Sequence, residues 1–168
     1  LRGFNIHDHD PYKGQAMDRK WMEKDVRLMK QNNVNAVRLS HYPHDPRYYD
    51  LFDKYGIYVM DEANMETHEL SIGRQLLPGS DPMWTAACMD RMRSMVQRDK
   101  NHPSVIMWSL GNEAGHGDNF AQMASYARTV DPTRPIHYQQ MNSIADFYTG
   151  GYWYPSELEA LAKDKNID

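Results

Sequence analysis

Strand-like and helix-like segments alternate along this chain of 168 residues, and the turns between them are short. A strand can return parallel to its predecessor only through a crossover, so this repeat implies a parallel sheet with helices packed on it. The first strand reads as Gly3 to Ile6. Asp18 then opens a helix with Trp21, Met22, Val26 and Met29 at helical spacing, ending at Asn32-Asn33. Val34 to Leu39 is the second strand. Asp45-Pro46 is an N-cap followed by proline at the first helical position. That helix carries Tyr49, Phe52 and Tyr55 and stops at Gly56. Ile57 to Met60 follows as the third strand, then a longer polar segment from Asp61 to Ser80. Asp81-Pro82 starts a helix with Trp84, Cys88, Met92 and Met95 on one side. After the Asn101-His-Pro103 turn, the apolar run from Ser104 to Leu110 is the fourth strand. A helix from Asp118 to Val130 precedes a fifth strand, Ile136 to Gln139. Asp146 to Trp153 reads as a sixth strand, and Ser156-Glu-Leu-Glu159 as a capping box for a last helix.

Two architectures satisfy this order: an open doubly wound sheet and a (β/α)8 barrel. The open sheet favours a glycine-rich phosphate loop after its first strand, and Asn5-Ile-His-Asp-His9 stands there instead. A whole barrel takes about 250 residues. The expectation is therefore a (β/α)8 TIM barrel of which residues 1–168 hold about the first six units. The seventh and eighth units and any flanking domains would lie outside the chain. An open barrel exposes sheet edges and apolar interior, so the isolated piece is expected to be marginal or to associate.

Composition removes several classes of function. The net charge is -4 with no basic run, which argues against nucleic acid as a partner. No apolar stretch reaches 18 residues, so no membrane-spanning helix is expected. Cys88 is the single cysteine, which excludes an internal disulfide and a thiolate metal site.

In a barrel the chemistry sits at the C-terminal ends of the strands. The exits here carry His7-Asp-His9, Arg38 with His41 and Tyr42, and the Asp61-Glu-Ala-Asn-Met-Glu66-Thr-His68 segment. After them come Asn112-Glu113 with His116, then Gln139-Gln140, then Tyr152-Trp-Tyr154. The opposite ends offer turn residues such as Asn33, Gly56 and Pro135. Carboxylates grouped with Asn, His, Arg and aromatics suit glycoside hydrolysis, which needs an acid/base and a second carboxylate. His7-x-His9 also suits a metal-dependent hydrolase, and a catalytically silent carbohydrate-binding domain remains open at this point. Asn112-Glu113 equally fits the start of a helix, where an acidic group suits the positive end of the dipole.

Read together, the exits resemble the catalytic barrel of bacterial β-galactosidases of glycoside hydrolase family 2. The resemblance is carried by Arg2-Gly-Phe-Asn-Ile-His7, Met29-Lys-Gln-Asn-Asn-Val-Asn-Ala-Val-Arg38, Ser40-His-Tyr-Pro43 and Asp61-Glu-Ala-Asn-Met-Glu-Thr-His68. Val96-Gln-Arg-Asp-Lys-Asn-His-Pro-Ser104 and Trp108-Ser-Leu-Gly-Asn-Glu-Ala-Gly-His116 complete it, all in family order. It implies a retaining enzyme that removes terminal β-galactose, with β-glucuronidase as a sister activity on the same scaffold. Glu113 matches the acid/base and Asn112 its sugar-contacting neighbour. His7 and His41 match histidines that hold the galactosyl group, and Arg38 the arginine that supports the nucleophile. Tyr154 matches, more loosely, a tyrosine beside that nucleophile. Glu66, His68 and Glu113 match the ligands of a magnesium ion, where manganese also fits an imidazole donor. Asp61, Glu62 and Asn64 fall to supporting roles. The nucleophile itself, a glutamate at the seventh strand exit, has no match, since Glu157 and Glu159 lie in the last helix. The resemblance further implies a homo-oligomer and leaves the compartment open between bacterial cytoplasm and periplasm.

Overall fold

The structure, a computed structural model, describes residues 1–164. Five strands form one parallel sheet in chain order: β1 (Gly3–Ile6), β2 (Ala36–Leu39), β3 (Tyr58–Glu62), β4 (Val105–Ser109) and β5 (Ile136–His137). A doubly wound sheet reverses its strand order at a switch point. Here each strand is added beyond the last without reversal, which is the winding of a TIM barrel. The crossovers carry α1 (Arg19–Gln31), α2 (Pro46–Tyr55), α3 (Pro82–Asp99) and α4 (Asp118–Val130), with α5 (Pro155–Lys163) after β5.

The helix boundaries follow from local chemistry. Asp45 accepts from the Arg47 amide at 2.9 Å, with Pro46 at the first helical position, and α2 ends at Gly56 in the left-handed region (φ 66°). Asp81 caps α3 in the same way through the Met83 amide at 2.9 Å, with Pro82 following. Met22, Val26 and Met29 of α1 are buried, as are Cys88, Met92 and Met95 of α3. Trp21 and Trp84 are not. They lie at the edges of their stripes, 37% and 41% exposed, and Lys24 sits over the Trp21 ring. The α2 stripe instead buries Tyr48 and Leu51 beside Tyr49 and Phe52.

Residues 146–153 form no strand, which corrects the reading of a sixth unit. Asp146 makes the one ladder-like contact. Its amide donates to the Ile136 carbonyl at 2.9 Å, but its own carboxylate takes the Ile136 amide at 2.6 Å. A side chain thus occupies the position of the next strand's carbonyl, and pairing stops. Asn142 then closes the segment into a loop through both the amide and the carbonyl of Thr149. The capping box is also displaced. Tyr154 is the N-cap of α5, and Glu157, three residues on, accepts from the Tyr154 amide at 2.6 Å.

Alternation along each strand divides the sheet into two faces. Val37, Val59, Val105, Trp108 and Ile136 are buried against the helices. Trp108 donates its indole N–H to Asp131 at 3.0 Å, and Arg134 and Thr133 bind the same carboxylate. Burial opposes ionisation of Asp131, but the bonds from Thr133, Arg134 and Trp108 outweigh it and hold the carboxyl down at about 2. A lowered folded-state pKa contributes stability that is complete above the unfolded value, near 3.8, and is lost as the pH falls toward about 2. The Asp131→Asn protein is therefore expected to be less stable than wild type at pH 6, with the gap closing between pH ~4 and ~2. Denaturant midpoints measured across that range check this, and a gap independent of pH would contradict it.

Candidate active site

The other face of the sheet looks into the barrel. The register pairs Asn5 with Arg38, Arg38 with Met60, Glu62 with Ser109, and Ser109 with His137. Polar side chains from all five strands thus share the inner face. Glu62 is their hub, with its side chain fully buried. Its Oε2 accepts from Arg38 Nε at 2.6 Å and from the Ser109 hydroxyl at 2.6 Å, and its Oε1 meets His41 Nδ1 at 2.7 Å. Burial works against ionisation of Glu62. The His41 bond, the Arg38 charge and the Ser109 hydroxyl outweigh it and keep the carboxyl below the usual range.

An ionised carboxylate only accepts, and this fixes the direction of every neighbouring bond. His41 must donate through Nδ1. Ser109 has one proton and spends it on Glu62, so at 2.9 Å its oxygen accepts from Nδ1–H of His137. Burial, with the Arg38 charge adding to it, pushes the His137 imidazole down to about 4 against the pull of Glu62. His137 is therefore a neutral ring of known tautomer.

The network continues outward through Arg38. Its second arm donates to Asn112 Oδ1 at 3.0 Å, and Asn112 Nδ2 donates to Glu66 at 2.7 Å. Asn112 is buried, and its amide donates to the Met65 carbonyl at 2.9 Å. This close approach explains Gly111, where a Cβ would lie 2.5 Å from Met65 Cβ and φ is 147°. Glu113 follows with φ 40°, a left-handed conformation uncommon outside glycine. Its carboxyl is 17% exposed, and Oε2 lies 3.3 Å from His68 Nε2.

The structure thus gathers Arg38, His41, Asn112 and Glu66 into one network around Glu62, with the His68–Glu113 pair one residue further along the chain. His7 stands at the rim, exposed, 3.4 Å from the Tyr42 hydroxyl and edge-on to the His41 ring. Tyr154 is not brought in. It is 73% exposed at the cap of α5. Asp61 faces the opposite way, into the helix layer, and Asn64 is exposed. The three expected magnesium ligands fall into separate pairs, Glu66 with Asn112 and His68 with Glu113. Among the described residues no three His, Cys, Asp or Glu side chains are placed to hold a metal. Sequence reasoning gave Glu62 only a supporting place and assigned no role to Ser109 or His137. The signal was there in the alternation, since Glu62 lies two residues beyond Met60 on the inner face.

Replacing Glu62 with glutamine leaves the half-buried Arg38 guanidinium without its counter-charge. The expected loss is about 3–5 kcal/mol. Ser109→Ala removes one hydrogen bond to a charged group and costs on the order of 1–3 kcal/mol. Urea unfolding of both variants checks the ranking, and a Ser109→Ala loss equal to that of Glu62→Gln would refute it.

A family model described as "Glycosyl hydrolases family 2, TIM barrel domain" matches residues 1–165. Among solved structures, the chain is similar to the β-glucuronidase of Ruminococcus gnavus (27% identity, TM-score 0.81), covering 96% of this chain and 32% of that one. It is also similar to the β-D-glucuronidase of Dictyoglomus thermophilum (30% identity, TM-score 0.64), covering 80% of this chain and 25% of that one. The β-glucuronidase of Bifidobacterium dentium, solved with coumarin-3-O-glucuronide, is a third (30% identity, TM-score 0.67), covering 80% and 22%. The chain spans between 22% and 32% of the length of these enzymes. With a family match that runs from residue 1 to residue 165, the chain belongs to glycosyl hydrolase family 2, in the TIM barrel domain of that family.

Proposed function

We propose that the protein is a retaining β-glycosidase that releases terminal galactose from β-galactosides, with Glu113 as its acid/base. The observation that carries this reading is the position of Glu113. It is a half-buried carboxyl at a strand exit, next to an asparagine locked by Arg38 and Glu66. As acid, Glu113 delivers a proton to the glycosidic oxygen as the bond to the sugar breaks. As base, it takes a proton from the water that frees the sugar. Asn112, His41 and His7 bind hydroxyls of the sugar beside it. In a retaining pair the second carboxylate stands about 5 Å from the first. Glu157 and Glu159 are exposed on α5, so the nucleophile comes from a later strand exit, outside these residues.

Glucuronides are the second reading, favoured by the β-glucuronidases to which this chain is similar. A uronate needs a cation for its carboxylate. The Arg38 guanidinium is already committed to Glu62 and Asn112, which favours the neutral hexose. Glu66, His68 and Glu113 are the residues that a magnesium or manganese ion would use. Paired off as they are, they do not form a cage for it.

The full-length protein is expected to hydrolyse nitrophenyl β-galactoside well above nitrophenyl β-glucuronide, and NMR should find β-galactose as the first sugar formed. A preference for the glucuronide moves the assignment to the second reading, and first-formed α-sugar sinks retention. Glu113→Gln should lower kcat on lactose by about 10²–10⁴. Unchanged turnover would remove Glu113 from the chemistry.

A further inference from the structure

An acid/base must hold its proton within hydrogen-bond reach of one oxygen, so the backbone that carries it has to be fixed. Glu113 sits in a left-handed conformation between Gly111 (φ 147°) and Gly115 (φ 73°), in a stretch that belongs to no helix or strand. Nothing within the stretch itself holds that shape. The grip comes from outside, on two sides.

The loop after β3 supplies one side. The Ser71 hydroxyl donates to the Glu113 carbonyl and lies 3.2 Å from the His68 carbonyl. Those two residues are the ones whose side chains meet at 3.3 Å. From the same loop, Gln75 accepts from the His116 amide at 3.1 Å. The segment after β5 supplies the other side. Gln140 accepts from the Gly115 amide at 2.5 Å, and the Tyr138 hydroxyl donates to the Gly115 carbonyl at 2.5 Å. Ser71 and Tyr138 are fully buried, and Tyr138 stacks on Phe120 with ring centroids 4.5 Å apart. A Cβ on Gly115 would fall 2.5 Å from Gln75 Oε1 and 3.1 Å from Ser71 Cβ, so the clamp closes only around a glycine.

We propose that Ser71, Tyr138 and Gln140 are positioning residues that aim the Glu113 carboxyl at the leaving-group oxygen by clamping the Glu113–Gly115 backbone between two neighbouring strand exits. This rests on the reading of Glu113 as acid/base and adds residues that touch no substrate. The clamp acts on proton delivery and leaves sugar binding alone, because its bonds go to the backbone of residues 113–115 and none goes to Asn112 or His41.

Leaving-group dependence separates this role from a general loss of structure. A dinitrophenolate departs without a proton, whereas the glucose of lactose needs one. In the full-length enzyme, Ser71→Ala and Tyr138→Phe are expected to lower kcat on lactose by roughly ten- to a hundredfold. On dinitrophenyl β-galactoside kcat/KM, which reports glycosylation and not the later water step that needs Glu113 as base, should fall less than about threefold, against a ten- to hundredfold fall in kcat/KM on lactose. Ser71→Thr, which keeps the hydroxyl, should recover most of the lactose rate. Tyr138→Phe keeps the ring on Phe120 and serves if Ser71→Ala does not fold. Glu113→Gln run beside them must give the same selective pattern in larger measure. If Glu113→Gln lacks it, the acid/base reading fails and the clamp with it. If Glu113→Gln has it while both clamp variants lose the two substrates equally, or lose neither, the clamp alone is overturned.

Discussion

The buried charge on Glu62 is the constraint from which the inner face of this barrel follows. A carboxylate taken out of water loses several kcal/mol of solvation unless its lone pairs are met. Three donors meet them here, from β2, from the turn after β2 and from β4. Each donor is thereby oriented. Arg38 is turned so that its free arm reaches Asn112, His41 presents Nδ1–H inward, and Ser109 is left as an acceptor for His137. Asn112, held by Arg38 on one side and Glu66 on the other, is the residue immediately before Glu113. The carboxylate at the centre therefore reaches the strand exit where proton transfer is proposed through hydrogen bonds alone.

Helices and their boundaries were the most legible part of the chain, because their signals are local. Asp45-Pro46 and Asp81-Pro82 bring cap and fixed φ together in two residues, and Gly56 can take the left-handed turn at no steric cost. Strand order was legible for a different reason. A repeated crossover of one hand adds each strand beyond the last, so order along the chain becomes order in the sheet. The sixth strand was misread because a segment rich in aromatics, here Phe147, Tyr148, Tyr152 and Trp153, has strand-like composition whether it lies in a strand or in a loop. What decides between them is the carboxylate of Asp146 capturing the Ile136 amide, a contact made across ten residues. Trp21 and Trp84 fit their helical stripes by spacing, but spacing does not say where the neighbouring element ends.

In the site, the exits named their residue types in advance but not their partners. Arg38, Asn112 and Glu66 were read from three separate exits, and the bonds that join them span 74 and 46 residues. Glu62 was undervalued because the apolar run of β3 ends at Met60, and a carboxylate after an apolar run reads as the start of a loop. The strand in fact continues through Glu62, and its register with Ser109 places the two side chains together. Tyr154 shows the converse. A motif match put it near the chemistry, whereas Pro155 makes it the cap of a surface helix.

Asp61 and Glu62 show how far environment outweighs identity. They are consecutive on one strand and both fully buried, so desolvation raises the pKa of each. Glu62 faces the barrel, where Arg38, His41 and Ser109 reverse that effect and leave it ionised. Asp61 faces the helices, where Asp99 adds its own charge to the penalty. The Tyr49 hydroxyl, at 2.7 Å, and the Arg98 charge do not offset the two. The Asp61 carboxyl is therefore pushed well above the usual carboxylate range, while Arg98 binds the Asp99 carboxylate with both arms. One strand thus carries an acid whose ionisation is supported on its inner face and one whose ionisation is opposed on its outer face. A single-residue slip of β3 would turn Glu62 into the helix layer, away from Arg38, His41 and Ser109. The cost of burying a charge without its counter-charge thereby adds to apolar packing in fixing the register of the strand at the centre of the sheet.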